Sequence, residues 1–279
     1  MTANLSDSPL LMDCHTHSRH SFDGKEEISA LCEQAVSLGL SAYAVTDHCD
    51  LYPPRYPVEA LKTAICQSVD EVAAWRDAHP TTTRILTGFE LGEAVDYPDL
   101  AEEFLALRPV DLVIGSIHRT GDIVDFYYLD CAAIPREETY RLLEDYFRRQ
   151  IRLVEWGKFD VLAHVTYPLR YIVGDAGIPI DLARFAPLLD ELLSKVIECD
   201  LSLEVNSSGL RQKIGVPLPD ETILKRYYQL GGRRISLGSD AHKLPDLGAG
   251  IAGCQQLLKK LGFTELTFYQ QRQPHTLSL

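Results

Sequence analysis

Apolar residues along this chain fall into two alternating rhythms: short unbroken runs, and stretches in which they recur at three and four. Unbroken runs suit strands buried on both faces of a parallel sheet, and the three-to-four recurrence suits helices that cover it. Leu10-Leu11-Met12 is the first run. Ile28, Leu31, Cys32, Ala35 and Leu38 then predict a helix over 26–38, stopped by Gly39 where a C-cap glycine belongs. The run 41–46 predicts a strand ending in Asp47-His48, and a proline-rich loop over 52–57 leads to a helix over 58–78 closed by Pro80. The pattern continues with a strand over 84–90, a short helix around 100–107 and a strand over 111–117. Tyr140, Leu143, Phe147, Ile151 and Val154 stripe a long helix over 136–156. A strand over 159–163, a helix over 181–198, a strand over 201–206, a helix over 220–230 and a strand from Arg234 complete the series.

Seven strands alternating with helices, without a low-complexity linker or an internal repeat, predict one α/β domain over 1–279 with parallel strands and helical crossovers. An open doubly wound sheet and a closed barrel both satisfy that pattern. Seven units with a histidine or an acid at nearly every strand end favour a (β/α)7, TIM-barrel-like closure, because a barrel gathers the C-terminal strand ends on one rim. There it would bring together His15, His17, His48, Glu90, His118, His164, Asp240 and His242, six of the nine histidines.

The segment from Asp13 to Gly24 is the densest part of that set. His15 and His17 share one strand face at i, i+2, Asp23 hangs from the following loop, and Asp240 and His242 repeat the spacing at the last strand. Singly, such a histidine is more often a satisfied core residue than a ligand. Burying six imidazoles with several acids would cost roughly several kcal/mol per unpaired group unless cations neutralise the acids and use the nitrogen lone pairs. Imidazole and carboxylate donors without thiolate suit Zn²⁺, Mn²⁺ or Fe, and are too nitrogen-rich for Mg²⁺ or Ca²⁺. The donors outnumber what one ion accepts, so two or three ions sharing carboxylates and a hydroxide nucleophile are expected, an arrangement that hydrolyses phosphate esters. His20, His79 and His275 lie away from strand ends and read as loop or surface residues.

Charge narrows the partner. A formal net charge of −13 argues against a duplex-binding surface, which needs clustered Lys and Arg, and leaves a small substrate as the more plausible partner. No run reaches the ~18 apolar residues of a membrane span and the N-terminus has no basic or long apolar region, so no membrane partner and a cytoplasmic location are expected. Seven scattered cysteines without a Cys-x-x-Cys read as reduced thiols. The sequence carries no expectation of oligomeric state.

Taken together, His15-Thr16-His17 with Asp23, Thr46-Asp47-His48, Glu90, His118, His164 and Ser239-Asp240-Ala241-His242 resemble the PHP (polymerase and histidinol phosphatase) family over almost the whole chain. The resemblance implies a distorted seven-stranded barrel and a centre of three divalent metal ions. It assigns His15, His17, Glu90 and Asp240 to the first ion, Glu90, His118 and His164 to the second, and Asp23, His48 and His242 to the third. Asp23 stands where some relatives have histidine. The segment from Glu204 to Arg211 and the tail from Phe268 to Pro274 are similar to the stand-alone histidinol-phosphatases, which release phosphate from L-histidinol phosphate in histidine biosynthesis. That likeness makes Arg211, Arg170 and Arg119 candidate phosphate or substrate contacts, although Thr166-Tyr167-Pro168 departs from the acidic and apolar stretch of relatives. Within the same fold the alternatives are a phosphatase for another small phosphomonoester or for phosphotyrosine, a nuclease-like relative, which the acidic balance disfavours, and a non-catalytic metal-binding module, which the intact ligand set disfavours.

Overall fold

The computed structural model describes residues 11–121 and 125–279, so Leu10 of the first apolar run lies outside the described residues. Seven parallel strands follow one another in spatial order: β1 (Met12–Asp13), β2 (Ala42–Asp50), β3 (Arg84–Gly92), β4 (Leu112–Ser116), β5 (Val161–Leu162), β6 (Ser202–Asn206) and β7 (Ile235–Gly238). The last returns to the first. Cys14 N–H donates to Leu237 O at 2.8 Å, Asp240 N–H to His15 O at 2.7 Å and His17 N–H to Ala241 O at 2.8 Å, which closes the sheet into the expected barrel.

The crossovers are α1 (Ile28–Ser37), α2 (Val58–Ala78), α3 (Pro98–Leu105), α4 (Arg136–Trp156), α5 (Ala186–Glu198) and α6 (Glu221–Gln229), and α7 (Ile251–Leu261) packs after β7. The periodic stripes become the buried faces: Ile28, Leu31, Cys32 and Ala35 of α1 pack with Tyr43 and Val45 of β2, and Tyr140, Leu143, Phe147, Ile151 and Val154 of α4 join the main core. Gly157 ends α4 in the left-handed region that a side chain rarely adopts.

Several expectations are corrected. The strand expected to end in Asp47-His48 runs two residues further, to Asp50, because its pairing with β3 continues as far as Asp50 opposite Gly92. The strand expected over 159–163 pairs only at Val161 and Leu162, and the helix expected from 181 begins as a 3₁₀ turn over Leu182–Phe185 before α5. Arg170–Asp175 forms a π-helical turn, and α7 and a C-terminal hairpin, β8 (Glu265–Gln270) with β9 (Gln273–Ser278), are additions that the strand-and-helix count did not contain.

That hairpin plugs the barrel end opposite the metal-type side chains. Arg272 N–H donates to Asp111 O at 2.9 Å and Gln271 N–H to Asp111 Oδ1 at 3.1 Å, just before β4. The Arg272 guanidinium pairs with Asp160, just before β5, and the Tyr269 hydroxyl bonds Asp160 O and Ser202 Oγ at the start of β6.

Candidate metal centre

The C-terminal strand ends bring the sequence-derived histidines and acids within contact of one another, and Glu90 on β3 stands in the middle. Its Oε2 lies 3.4 Å from His15 Nε2, 3.8 Å from His17 Nε2 and 2.8 Å from His48 Nδ1. Its Oε1 lies 3.1 Å from His118 Nε2 and 3.0 Å from His164 Nε2. Asp240 Oδ1 is 3.3 Å from His17 Nε2. On the outer side, His48 Nε2 and His242 Nε2 are 3.4 Å apart, with Asp23 oxygens 3.7 Å and 3.2 Å from them.

These spacings have a common cause. Two donors held at about 2.0–2.1 Å in a tetrahedral shell stand roughly 3.3 Å apart, the separation of lone pairs converging on a shared cation. His118 and His164 meet Nε2 to Nε2 at 3.4 Å, and the Glu90 oxygen completes a triangle of such edges. Donors of His15 and His17 with Asp240, of His15 with Glu90 and His164, of His48 with Glu90 and His118, and of His17 with His48 and His242 each lie within 4.8 Å of one another, so the groups adjoin. His15 Nε2, His17 Nε2 and Glu90 Oε2 are buried without a hydrogen-bond partner. An imidazole lone pair and a carboxylate oxygen left so are costly unless a cation joins them, and the donor set therefore fits divalent ions.

The far sides of the rings are held. Glu204 Oε1 receives His15 Nδ1 at 2.6 Å, Asp50 Oδ1 receives His118 Nδ1 at 3.1 Å, and Asp240 O receives His242 Nδ1 at 3.0 Å. A carboxylate on the remote nitrogen orients an imidazole and makes the near one a better ligand. Two glycines make room: a Cβ on Gly92 would lie 2.3 Å from Asp50 Oδ1, and one on Gly238 would lie 2.5 Å from Glu204 Oε1. His164 and Asp240 hold left-handed backbone, φ 23° and 55°, strain of the kind stored at functional sites.

Residue by residue, the structure brings His15, His17, Asp23, His48, Glu90, His118, His164, Asp240 and His242 together. Arg170 joins them, its Nη2 donating to Ser208 Oγ at 2.6 Å and to Asp240 Oδ2 at 3.1 Å while its buried Nε has no partner. Arg119 bonds Asp96 and Gly121 O and lies over the Tyr52 ring. Arg211 reaches Ser239 O, Ala249 O and Asp246, so its guanidinium braces the loop that follows β7. His20 bonds Glu71, His79 stacks on Trp75 and His275 on Phe268, all outside the cluster. Sequence reasoning gave no orienting role to Glu204, Asp50 or Asp47. Asp50 carried a usable signal, since it sits two residues beyond His48 on the same strand face.

Electrostatics bind the cluster to protons when metal is removed. Burial opposes charge on His15 and His118, yet Glu204 and Glu90 around the first, and Glu90 and Asp50 around the second, hold both well above the ordinary imidazole range. Burial is likewise outweighed at His48, raised to about 9 by Glu90, Asp50 and Asp23. His17 goes the other way, pushed well below its usual value by burial and by the neighbouring His48 and His242. A raised imidazole stabilises the folded chain fully below its unfolded value, and that contribution is lost as pH rises through the folded value. The metal-free protein should therefore lose thermal stability from about pH 7 to about pH 9. Ions displace those protons, so zinc affinity should rise over the same interval by up to about tenfold per pH unit for each proton released. Thermal scans of chelated protein and zinc titrations at the two pH values check both signs, and a parallel trend in the two would contradict the assignment.

Fold and centre define the class: a seven-stranded parallel barrel with a histidine–carboxylate metal centre at its C-terminal mouth. Within it, the chain belongs to the PHP domain family, whose model matches residues 13–208. It is 31% identical over 257 residues to the probable histidinol-phosphatase of Thermotoga maritima, covering 92% of this chain and 94% of that one. It is 26% identical over 268 residues to the histidinol-phosphatase of Lactococcus lactis, covering 92% and 94%. The fold is similar to the crystal structure of histidinol phosphate phosphatase from Lactococcus lactis complexed with zinc, L-histidinol and phosphate. That match has a TM-score of 0.78 at 23% identity and covers 96% of this chain and 100% of that one.

Proposed function

We propose that this chain is a metal-dependent phosphomonoesterase that hydrolyses L-histidinol phosphate to L-histidinol and phosphate in histidine biosynthesis. The observation that carries the reading is the complete set of converging donors in a chain that matches proteins named histidinol-phosphatase over nearly their full length. His15, His17, Glu90 and Asp240 would hold one divalent ion, Glu90, His118 and His164 a second, and Asp23, His48 and His242 a third. When bound, such ions polarise the phosphoryl oxygens and lower the pKa of water.

The rest falls to the chain's own side chains. Arg170 stands beside Asp240 with a buried, unpartnered Nε–H, a donor free for a phosphate oxygen. Glu204 and Asp50 fix the rings of His15 and His118. Asp125 sits at the mouth, accepting from the Tyr167 hydroxyl at 2.8 Å and from Tyr127 N–H at 2.7 Å, and Tyr171 donates to the Tyr167 hydroxyl at 3.0 Å. A carboxylate edged by tyrosine rings suits the ammonium and imidazole end of this substrate. Arg119 and Arg211 act at a distance, bracing the loops after β4 and β7.

The free state of all seven cysteines fits a reducing, cytoplasmic setting, and the −13 charge fits a small substrate in preference to nucleic acid. Among the described residues no helix is long and apolar enough to cross a membrane. The reading takes 1–279 as one catalytic domain.

Steady-state hydrolysis of L-histidinol phosphate, p-nitrophenyl phosphate and phosphotyrosine, with metal content measured on the same preparation, tests it. A kcat/KM preference of about a thousandfold for L-histidinol phosphate is expected. Arg170→Met should cost about 100-fold in kcat/KM for every ester, as loss of charged hydrogen bonds to phosphate does. Uniformly slow turnover with metals bound would overturn the substrate.

A further inference from the structure

We infer that Asp47, acting through Ser21, fixes the tautomer of His17 and so makes its Nε2 available to a cation. The inference rests on the metal-centre reading above and adds two positioning residues to it. Asp47 lies on the outer face of β2, fully buried, between the barrel and α2. Its carboxylate accepts four hydrogen bonds: from Ser18 N–H at 2.6 Å, Ser18 Oγ at 2.7 Å, Ser21 Oγ at 2.7 Å and Ser68 Oγ at 2.5 Å. Four donors converge on its two oxygens, so the carboxylate serves as an acceptor throughout.

The consequence passes to Ser21. A serine hydroxyl has one proton and two acceptor lone pairs. The proton goes to Asp47 Oδ1, and His48 N–H donates into one lone pair at 3.0 Å. The remaining lone pair faces His17 Nδ1 at 3.3 Å and can only accept, so Nδ1 must carry the ring proton. His17 Nε2 is then a bare lone pair, aimed at Asp240 Oδ1 and Glu90 Oε2, themselves acceptors. Three acceptors facing one another call for a cation, and the direction of one serine hydroxyl decides it. His15 and His118 receive their orientation directly from carboxylates, whereas His17 receives its own through a hydroxyl whose direction a buried acid sets.

Substitution separates the steps. Ser21→Ala removes the acceptor. Asp47→Ala removes the oxygen that holds the Ser21 proton, which frees that proton to turn toward Nδ1 and places the ring proton on Nε2, against the ion. The full-length chain, stripped with chelator, is titrated with zinc by calorimetry, with melting temperature, kcat and KM measured on the same samples.

Wild type should take up three ions. Ser21→Ala should weaken one of them by about 10- to 100-fold and lower kcat more than it raises KM, and Asp47→Ala should be at least as severe. Ser21→Thr, which keeps the hydroxyl, should restore the lost affinity, and nitrogen chemical shifts of wild-type His17 should report a protonated Nδ1. Unchanged zinc affinity in Ser21→Ala, with only the melting temperature lowered, overturns the relay and leaves the metal centre standing. A wild-type chain that binds no zinc overturns the metal-centre reading and the relay with it.

Discussion

Glu90→Gln should bind at least one ion fewer than wild type and turn over L-histidinol phosphate about a thousandfold more slowly or worse, the equivalent of about 4 kcal/mol of lost transition-state stabilisation. The reason is positional. Glu90 is fully buried, with one oxygen turned to His15, His17 and His48 and the other to His118 and His164. Glutamine keeps one acceptor and replaces the other with an N–H₂ that would face one of the ions Glu90 is proposed to hold. Glu90 is held well below the usual carboxylate range: burial opposes ionisation, but His118, His15 and His48 around it prevail. The substitution removes that charge entirely. Its side-chain partners are the histidines, so the barrel should still form. Zinc stoichiometry, circular dichroism and kcat on one preparation check all three parts, and a variant within tenfold of wild type would overturn the proposal that Glu90 is shared by two ions.

At the other end of the barrel, Asp160→Ala should destabilise the fold by about 3 kcal/mol, about 5 °C in melting temperature for a chain of this size, without touching zinc affinity. Asp160 is buried, and its Oδ2 accepts from Val113 N–H at 2.7 Å and pairs with Arg272 at the tip of the β8–β9 hairpin. Alanine leaves a buried amide without its acceptor and a largely covered guanidinium without its counter-charge. Gln271 and Arg272 both hold positive φ, 50° and 61°, a conformation that non-glycine residues adopt at a cost. The contacts to Asp111 and Asp160 offset that cost, so losing one should also free the hairpin. Hydrogen exchange at the amides of β8 and β9 should accelerate in the variant while those of β2 and β3 keep their protection.

The metal-type side chains were legible because they obey a positional rule: in a parallel barrel an imidazole or acid at the C-terminal end of a hydrophobic run has only one place to point. His118 and His164 follow from that rule with no knowledge of their neighbours. The long helices were legible for a similar reason, α2 and α4 having enough turns for their apolar stripe to stand out. Strand lengths were not, since β1 and β5 pair over two residues each and a two-residue ladder leaves no periodic trace. The hairpin hid behind turn residues, Gln271-Arg272, that lack the usual glycine or asparagine signal. Orienting acids such as Glu204 and Asp50 look like any strand carboxylate until the ring they serve is seen beside them. For Arg119 and Arg211, sequence gives proximity to the site, and only the fold gives direction.

The seam between β1 and β7 joins parts of the chain that are far apart in synthesis: Asp13 takes the Ser239 amide across 226 positions. His15 and His17 stand on one side of that seam, Asp240 and His242 on the other. An ion bound there is a clasp between the first strand and the last. Contacts of such long sequence separation form late and slowly in folding, because the whole intervening chain must be ordered before they are rewarded. The clasp can therefore close fully only on a barrel that is already built, and a chain missing its last strand would keep His15, His17 and Glu90 but lose Asp240, the fourth proposed ligand of the ion they would share.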